Sequence, residues 1–531
     1  MSAGVSAKTL KGLLRGDKEL ALIDVRENGT FGDGHMLFAC NIPLSRLELR
    51  FGDLVPRLGT PVVVCDGGDG LARQAAQRLE SFGYRDVRIL DGGLPAWKAA
   101  GFEVFSGVNV PSKAFGEFVE HEAGTPSLSP QELKALVDGG RKLVILDSRP
   151  WEEYHAMNIP GGIDVPGAEL VYRVADVAPD PDTLVVVNCA GRTRSIIGAQ
   201  SLINAGIPNE VIALRNGTMG WHLAGLTLER GQIRKAPPVS AQGLAKAKAA
   251  ADQVGRRFGV RTVDTATVDQ WRKEAETRTL YLLDVRTPEE FEAGHLPGSR
   301  HAPGGQLVQA TDTYVVTRGA RVVLIDNDGV RATLTASWLI QLGWDDVYVL
   351  KDGLKGAALA QGPHAAKALG PTADLPEVTP HELNGALQRK EAVLVDLATS
   401  LQYKAAHIPG AWWGTRARMG QWLAKVPNAP LLVFASPDGT LAKLAARDAQ
   451  VLSGKSVAVL RGGTQAWKAQ GLPVTTGPEH LADTPDDAWL RPYDREQGVE
   501  AAMKEYLSWE VDLVEQIKRD GDARFRFFPE N

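Results

Sequence analysis

Cysteine is scarce in this sequence: its 531 residues include only three, Cys40, Cys65 and Cys189. Three thiols cannot build the disulfide framework of a small secreted domain, and no two of them have the CxxC spacing of a zinc site or a redox pair. Any sulfur chemistry must therefore use a single thiol. We expect a reducing, cytoplasmic location.

Several other signals are missing. No apolar run approaches the roughly 18 residues that span a bilayer, so we expect no membrane partner. The N-terminal residues lack the charged and apolar regions of a secretory leader. The net charge is −5, which provides no basic face for nucleic acid. No metal-ligand cluster, Gly-Lys phosphate loop or dinucleotide fingerprint is present, so we expect neither a metal nor a cofactor.

The sequence does contain one pattern that occurs four times. Each copy opens with an apolar strand that ends in an aspartate: Asp24, Asp147, Asp284 and Asp396. A second apolar strand closes 41, 42, 42 or 40 residues later, at Cys65, Cys189, Asp326 and Ser436. An alanine stands ten positions after each of these residues, so the four following loops align without a gap: Ala75, Ala199, Ala336 and Ala446. Such regularity indicates tandem repeats of one structural unit.

Each repeat predicts an α/β domain, a small parallel sheet covered by helices on both faces, because runs of Val, Ile and Leu alternate with helical segments. We place units 1 to 4 at residues 5–107, 126–232, 262–366 and 376–478. A helical tail is expected at 479–531, where the apolar spacing of residues 500–519 predicts a helix.

The long central linker, residues 234–260, suggests that unit 1 pairs with unit 2 and unit 3 with unit 4. The tail aromatic residues, among them Trp489, Tyr493 and Tyr506, are expected to pack against unit 4 or a second subunit. A homodimer is therefore one oligomeric state left open.

The loop of unit 2, NCAGRTRS (188–195), carries the chemistry. Cys189 stands at the carboxyl end of a strand and before a helix, with Arg192 and Arg194 three and five positions later. A helix N-terminus and nearby arginines favour the thiolate, and we expect them to lower the pKa of Cys189. The same amides and guanidinium groups suit an anionic substrate.

Taken together, these motifs resemble the rhodanese family over about 420 of the 531 residues. The resemblance is carried by the Asp-x-Arg strand end, the Gly-His-(Ile/Leu)-Pro-Gly turn, Cys-Ala-Gly-Arg-Thr-Arg-Ser and the Gly-Gly-x-x-Ala-Trp close. It implies a tandem sulfurtransferase in which Cys189 becomes a persulfide. The substrate-binding loop would be Ala190, Gly191, Arg192, Thr193 and Arg194.

The resemblance implies that a sulfane sulfur moves from thiosulfate or a similar anionic donor to cyanide, a thiol or a protein cysteine. A related fold uses the turn for phosphatase chemistry, but there five residues separate the cysteine from the arginine. Here four residues separate Cys189 from Arg194, and the tighter loop favours sulfur. A different class of function is a sulfur carrier or scaffold without turnover, which uses degenerate units to dock partners.

The other three loops depart from the pattern. Cys65 is a candidate secondary thiol, but Asp66 and Asp69 raise the pKa of a thiol and repel anions. Asp326 cannot form a persulfide, and Ser436 is a poor nucleophile without a base. Units 3 and 4 are therefore expected to be inactive equivalents. Cys40 is expected to be a buried structural thiol.

Overall fold

The computed structural model describes residues 3–366, 368–370 and 374–529. Residues 371–373 of the linker before unit 4 and the last two residues of the tail lie outside this range. Within it, the chain forms four sheets with helices packed around them, and each sheet corresponds to one sequence repeat. The α/β prediction is confirmed.

Unit 1 contains the first five strands and the first five helices. The strands are β1 (Ala3–Val5), β2 (Leu20–Asp24), β3 (Cys40–Asn41), β4 (Val62–Cys65) and β5 (Val87–Leu90). The helices are α1 (Ala7–Leu14), α2 (Asn28–Asp33), α3 (Leu47–Leu54), α4 (Leu71–Ser81) and α5 (Gly93–Ala99). Helix α6 (Val110–Ala123) then leads to unit 2.

Unit 2 shows the common topology most simply, because its five strands are all parallel in the order β6-β10-β9-β7-β8. The strands are β6 (Ser127–Leu128), β7 (Leu143–Asp147), β8 (Ile163–Asp164), β9 (Leu184–Asn188) and β10 (Val211–Leu214). The helices are α7 (Pro130–Asp138), α8 (Trp151–Ala156), α9 (Glu169–Val177), α10 (Thr193–Asn204) and α11 (Gly217–Leu223), with α12 (Ala241–Arg257) as the linker to unit 3.

Unit 3 adds one strand to this plan. Its strands are β11 (Arg261–Val263), β12 (Leu280–Asp284), β13 (Arg300–His301), β14 (Thr317–Arg318), β15 (Arg321–Ile325) and β16 (Val347–Leu350). Its helices are α13 (Thr265–Lys273), α14 (Pro288–Ala293), α15 (Gly304–Gln309) and α16 (Val330–Gln341). Strand β14 leaves its own unit and pairs antiparallel with β2, at the edge of the unit 1 sheet.

Unit 4 returns to the plan of unit 2. Its strands are β17 (Glu377–Val378), β18 (Ala392–Asp396), β19 (Trp412–Trp413), β20 (Leu431–Ala435) and β21 (Val457–Leu460). Its helices are α17 (Pro380–Gln388), α18 (Ser400–Ala405), α19 (Met419–Trp422), α20 (Thr440–Ser453) and α21 (Gly463–Ala469). The tail holds the long helix α22 (Val499–Asp520), which covers the segment whose apolar spacing predicted a helix.

The local sequence explains these boundaries. The central strands are buried on both faces, which accounts for their continuous apolar runs. Several helices begin at a capping box, in which a serine or threonine and a residue three positions later satisfy each other's backbone N–H groups, as Ser129 and Glu132 do at α7. None of the described helices combines the length and the apolar character needed to cross a membrane.

The expected pairing of units 1 with 2 and 3 with 4 is wrong. Unit 2 packs on unit 3: Ile196 and Ile197 of α10 share a core with Trp338 of α16, whose indole N–H donates to Ser201 at 2.8 Å. Unit 1 contacts unit 3 through β14 and unit 4 through a buried ion pair between Glu48 and Arg416 at 2.6 Å. Inter-unit contacts depend on side chains that the repeats do not share, so repeat spacing cannot predict them.

Candidate active site

Cys189 lies where β9 ends and before α10 begins, at the carboxyl edge of the unit 2 sheet. Its side chain is in a tight loop: the thiol donates to the hydroxyl oxygen of Ser195 at 3.5 Å, and that hydroxyl donates to the carbonyl of Arg192 at 2.8 Å. The backbone N–H of Ser195 also faces the sulfur. The cysteine is only 2% exposed.

Burial determines the ionisation of this thiol. The pKa of Cys189 is raised above its ordinary value because burial disfavours the thiolate, and the carboxylate of Glu510 adds to the effect. Arg194 and the two groups of Ser195 act in the opposite direction without outweighing burial. The expectation of a lowered pKa is therefore wrong.

The two loop arginines are close to the thiol but are not free cations. Arg192 donates to both carboxylate oxygens of Glu117 at 2.7 Å, and it also binds Glu120 and Asn216. Arg194 donates to both oxygens of Glu153 at 2.8 and 2.9 Å, and to Gln306 of unit 3 at 3.2 Å. These ion pairs fix the loop and partly neutralise its positive charge.

A cavity of about 420 Å³ opens beside Cys189 and the loop residues 190–194. Most of its other lining residues come from outside unit 2, among them Lys113 on α6, Gln306 and Gln309 on α15, Trp489 and Tyr493 before α22, and Tyr506 and Glu510 on α22. The expectation that the tail aromatic residues pack against unit 4 or a second subunit, and do not form a ligand box, is wrong for Trp489, Tyr493 and Tyr506, which line this cavity. Two later ones, Phe525 and Phe528, pack on the cores that units 2 and 3 share.

Strand pairing places Cys65 one residue away from the position expected. The residue opposite the strand-end aspartate is Cys65 in unit 1, Asn188 in unit 2, Ile325 in unit 3 and Ala435 in unit 4. Asp66, not Cys65, is therefore the equivalent of Cys189. Consistent with this, the carbonyl of Asp66 accepts from Leu94 as that of Cys189 accepts from Thr218.

Cys65 consequently faces the core, where it is 0% exposed, and burial together with Asp24 raises the pKa of its thiol well above the ordinary value. This contradicts its assignment as a secondary reactive thiol. Asp66 stands 42 residues after Asp24, the interval that also separates Asp147 from Cys189 and Asp284 from Asp326, and it stands ten residues before Ala76. Because Ala75 precedes Ala76 directly, the ten-residue spacing fits an alignment on Cys65 as well as one on Asp66, and it does not reveal the difference of one residue. Cys40 is buried, as expected.

The equivalents of Cys189 reveal what the loop binds. In unit 3 the carboxylate of Asp326 accepts from the backbone N–H groups of Gly329, Ala332 and Asp328, at 2.6, 3.0 and 3.3 Å. In unit 1 the carboxylate of Asp66 accepts from three loop amides at 2.9 to 3.0 Å. In unit 4 the Ser436 hydroxyl oxygen accepts from Ala442 at 3.2 Å. The loop thus holds an anion with its amides in two of the three units.

The residues missed by sequence reasoning are those that the rest of the chain brings to the loop, above all Lys113 and Glu510. Lys113 lies on a linker helix and Glu510 in the tail, so neither belongs to the repeat that identified Cys189. The only signal was weak: Glu510 is a charged residue among apolar neighbours in the segment predicted to be helical, residues 500–519, whereas no helix was predicted around Lys113. No group of side chains suited to a metal ion occurs among the described residues.

Comparison with known proteins gives a consistent result. The family model described as Rhodanese-like domain matches residues 6–100, 129–224, 266–360 and 379–470. The crystal structure of a thiosulfate sulfurtransferase from Pseudomonas aeruginosa is 50% identical, covers 99% of this chain and 100% of that chain, and superposes with a TM-score of 0.95.

Two curated relatives match single regions. A thiosulfate sulfurtransferase of Gallus gallus is 30% identical over 131 residues, which are 23% of this chain and 44% of that protein. An HTH-type transcriptional regulator of Mycobacterium tuberculosis is 37% identical over 90 residues, 17% of this chain and 39% of the regulator. The chain thus spans less than half of each of these two proteins.

Proposed function

We propose that the chain, which belongs to the rhodanese-like family and resembles a thiosulfate sulfurtransferase over its whole length, transfers a sulfane sulfur through a persulfide on Cys189. Thiosulfate or a similar small anion is the proposed donor, and cyanide or a thiol the acceptor. No metal or cofactor takes part in this scheme.

The observation that carries the proposal is the aspartate held in the loop of unit 3. The carboxylate oxygens of Asp326 and the outer sulfur of a cysteine persulfide both lie two bonds beyond Cβ. A persulfide anion on Cys189 would therefore reach the positions where three loop amides bind the Asp326 carboxylate. By alignment, the corresponding amides in unit 2 are those of Gly191, Arg192 and Ser195. Preorganised amides of this kind stabilise the anion without moving.

The reaction proceeds in two displacements. The Cys189 thiolate attacks the outer sulfur of thiosulfate, a new S–S bond forms, and sulfite leaves with the electron pair of the bond that breaks. The acceptor then attacks the outer sulfur of the persulfide, and the Cys189 thiolate leaves. We assign the backbone amides of Gly191, Arg192 and Ser195 to the sulfur anion, residues 190–194 to the loop that presents them, and the charge of Arg194 to the donor at the cavity wall.

Intact-protein mass spectrometry tests the assignment. After incubation with thiosulfate the wild-type chain should gain one sulfur atom, C189S none, and C65S the same as wild type. Subsequent addition of cyanide should remove the sulfur as thiocyanate with steady turnover. A sulfur gain in C189S would refute the assignment, whereas loading without turnover would favour the carrier alternative. Hydrolysis of an aryl phosphate would favour a phosphatase.

A further inference from the structure

Glu510 is a buried acid that the rhodanese-like repeat does not supply. It projects from α22 over the loop of unit 2, is 2% exposed, and lines the same cavity as Cys189. A methyl group added at Gly191, two residues after Cys189, would lie only 3.0 Å from its Oε2 atom. The carboxylate therefore stands directly above the anion-binding loop.

The two oxygens of Glu510 differ in their contacts. Oε1 accepts from the Tyr506 hydroxyl at 3.0 Å and from the Thr193 hydroxyl at 3.4 Å. Oε2 is buried and has no hydrogen-bond partner among the described residues. A buried carboxylate oxygen without a donor is costly, so this atom is suited to carrying or receiving a proton.

The groups around Glu510 shift the pKa of its carboxyl in both directions. Burial raises its pKa above the ordinary value, and Glu117 on α6 acts in the same direction. Lys113 on α6, Arg192 in the loop and the Tyr506 hydroxyl lower it. Lys113 is itself buried over the rings of Trp489, Tyr506 and Trp509, at 4.7 to 5.1 Å from their centroids.

Two requirements of the proposed reaction conflict unless a proton moves between Cys189 and Glu510. Cys189 must lose its proton to become a nucleophile, although burial favours the thiol. A dianionic donor and a persulfide anion both require Glu510 to be neutral, because an ionised carboxylate above the loop would repel them. One proton transfer from the thiol to the carboxylate satisfies both requirements.

We propose that Glu510 exchanges a proton with Cys189 during sulfur transfer, directly or through one water molecule in the cavity. This rests on the proposed function. The reactants are the Cys189 thiol, the Glu510 carboxylate and the thiosulfate dianion. The products are the Cys189 persulfide anion, the Glu510 carboxylic acid and the sulfite dianion. The net charge is −3 on each side. When cyanide takes the outer sulfur as thiocyanate, the released Cys189 thiolate recovers the proton from Glu510.

The test compares E510Q with wild type and with E505Q, an isosteric change at an exposed position of the same helix. In E510Q the thiol has no carboxylate to accept its proton once the dianionic donor is bound, so persulfide formation from thiosulfate should slow at least tenfold at pH 7 without a rise in the KM for thiosulfate. The difference should shrink as the pH rises and the thiol ionises without a base. E505Q should behave as wild type.

Alkylation of Cys189 by neutral iodoacetamide separates this role from a structural one. Removing the Glu510 charge lowers the pKa of the thiol, so E510Q should be alkylated at least as fast as wild type while its reaction with thiosulfate is slower. E510D, which keeps the carboxylate, should retain the wild-type shape of the pH profile. The proposal is overturned if E510Q matches wild type with thiosulfate at pH 7, or if it slows both reactions equally at every pH. Absence of a persulfide in wild type would instead refute the proposed function.

Discussion

At the scale of single residues, the sequence identified the reactive thiol but not its environment. Cys189 and its arginines are adjacent in the chain, so their proximity was predictable. The carboxylates that neutralise those arginines, Glu117 and Glu153, come from 75 and 41 residues away. The burial that raises the pKa of Cys189 depends on residues that are more distant still. A pattern of neighbours in sequence cannot include such contributions.

The raised pKa of Cys189 predicts how the free enzyme responds to pH. Only the thiolate reacts with iodoacetamide, so the alkylation rate should rise about tenfold per pH unit between pH 7 and 9. Replacing Arg194 by methionine should slow alkylation further, because the guanidinium lowers this pKa. R141M, at an exposed position of unit 2, serves as the control. A rate that levels off below pH 8 would contradict the prediction.

Glu27 provides a second pH-dependent test, in unit 1. Burial raises its pKa to about 7, although the Ser45 hydroxyl donates to it. Between pH 4.5 and 7 the unfolded chain therefore releases this proton before the folded chain does, and stability falls as the pH rises. At pH 8, E27Q should therefore be more stable than wild type by roughly 3 kcal/mol and should unfold at a higher temperature. At pH 4.5 the two proteins should unfold at similar temperatures.

Thermal unfolding monitored at both pH values checks the Glu27 prediction, with the exposed E505Q change as the control. An advantage of E27Q that is the same at pH 4.5 and pH 8 would show that the effect comes from packing and not from ionisation.

At the scale of elements, the strands and helices of each unit were predictable, because continuous apolar runs and caps determine them locally. The register of the first loop was not. Asp66 stands 42 residues after Asp24, the interval that also separates Asp147 from Cys189, but two consecutive alanines allow an alignment on Cys65, one residue earlier, to fit as well. The pairing of Asp24 with Cys65 across β2 and β4 shows that Asp66 is the equivalent of Cys189.

The amides that bind Asp326 also predict how much stability the chain loses when this carboxylate is removed. In D326A the three N–H groups of the unit 3 loop lose their acceptor, and the chain should lose about 1–3 kcal/mol of stability. S436A removes a single bond from Ala442, so its loss should be smaller. Urea unfolding of both variants, monitored by circular dichroism, measures the difference. An S436A variant less stable than D326A would contradict the account of the loop.

At the scale of the whole molecule, the arrangement of the units was the part least accessible from sequence. Repeats predict what each unit contains, whereas the contacts between units use features that differ from one copy to the next. Strand β14 occurs only in unit 3 among the described sheets, and it completes the edge of unit 1. Glycines let units 2 and 3 approach closely: a methyl group added at Gly305 would lie 3.0 Å from the Cα of Gly167.

The close contact at Gly305 predicts that a change in the interface between units 2 and 3 alters sulfur transfer at Cys189. In G305A the new methyl group meets the backbone of Gly167 at 3.0 Å, so units 2 and 3 should move apart slightly and the bond from Arg194 to Gln306 should weaken. We expect a lower unfolding temperature and reduced sulfur transfer. G420A, in a helix with open space around it, should be neutral in both measurements. Wild-type turnover in G305A would show that the interface does not support the site.

The wall that residues 489–510 contribute beside Cys189 also bears on biosynthesis. Ribosomes make the thiol-bearing loop some 300 residues before the helix that covers it. Domains generally fold as units during translation, so unit 2 can acquire its own fold while the cleft beside its cysteine still lacks one side. Sulfur chemistry of the kind proposed would then begin only after residues 489–510 have been made and have folded against unit 2. Fragments released early would carry the nucleophile without the acid that exchanges its proton.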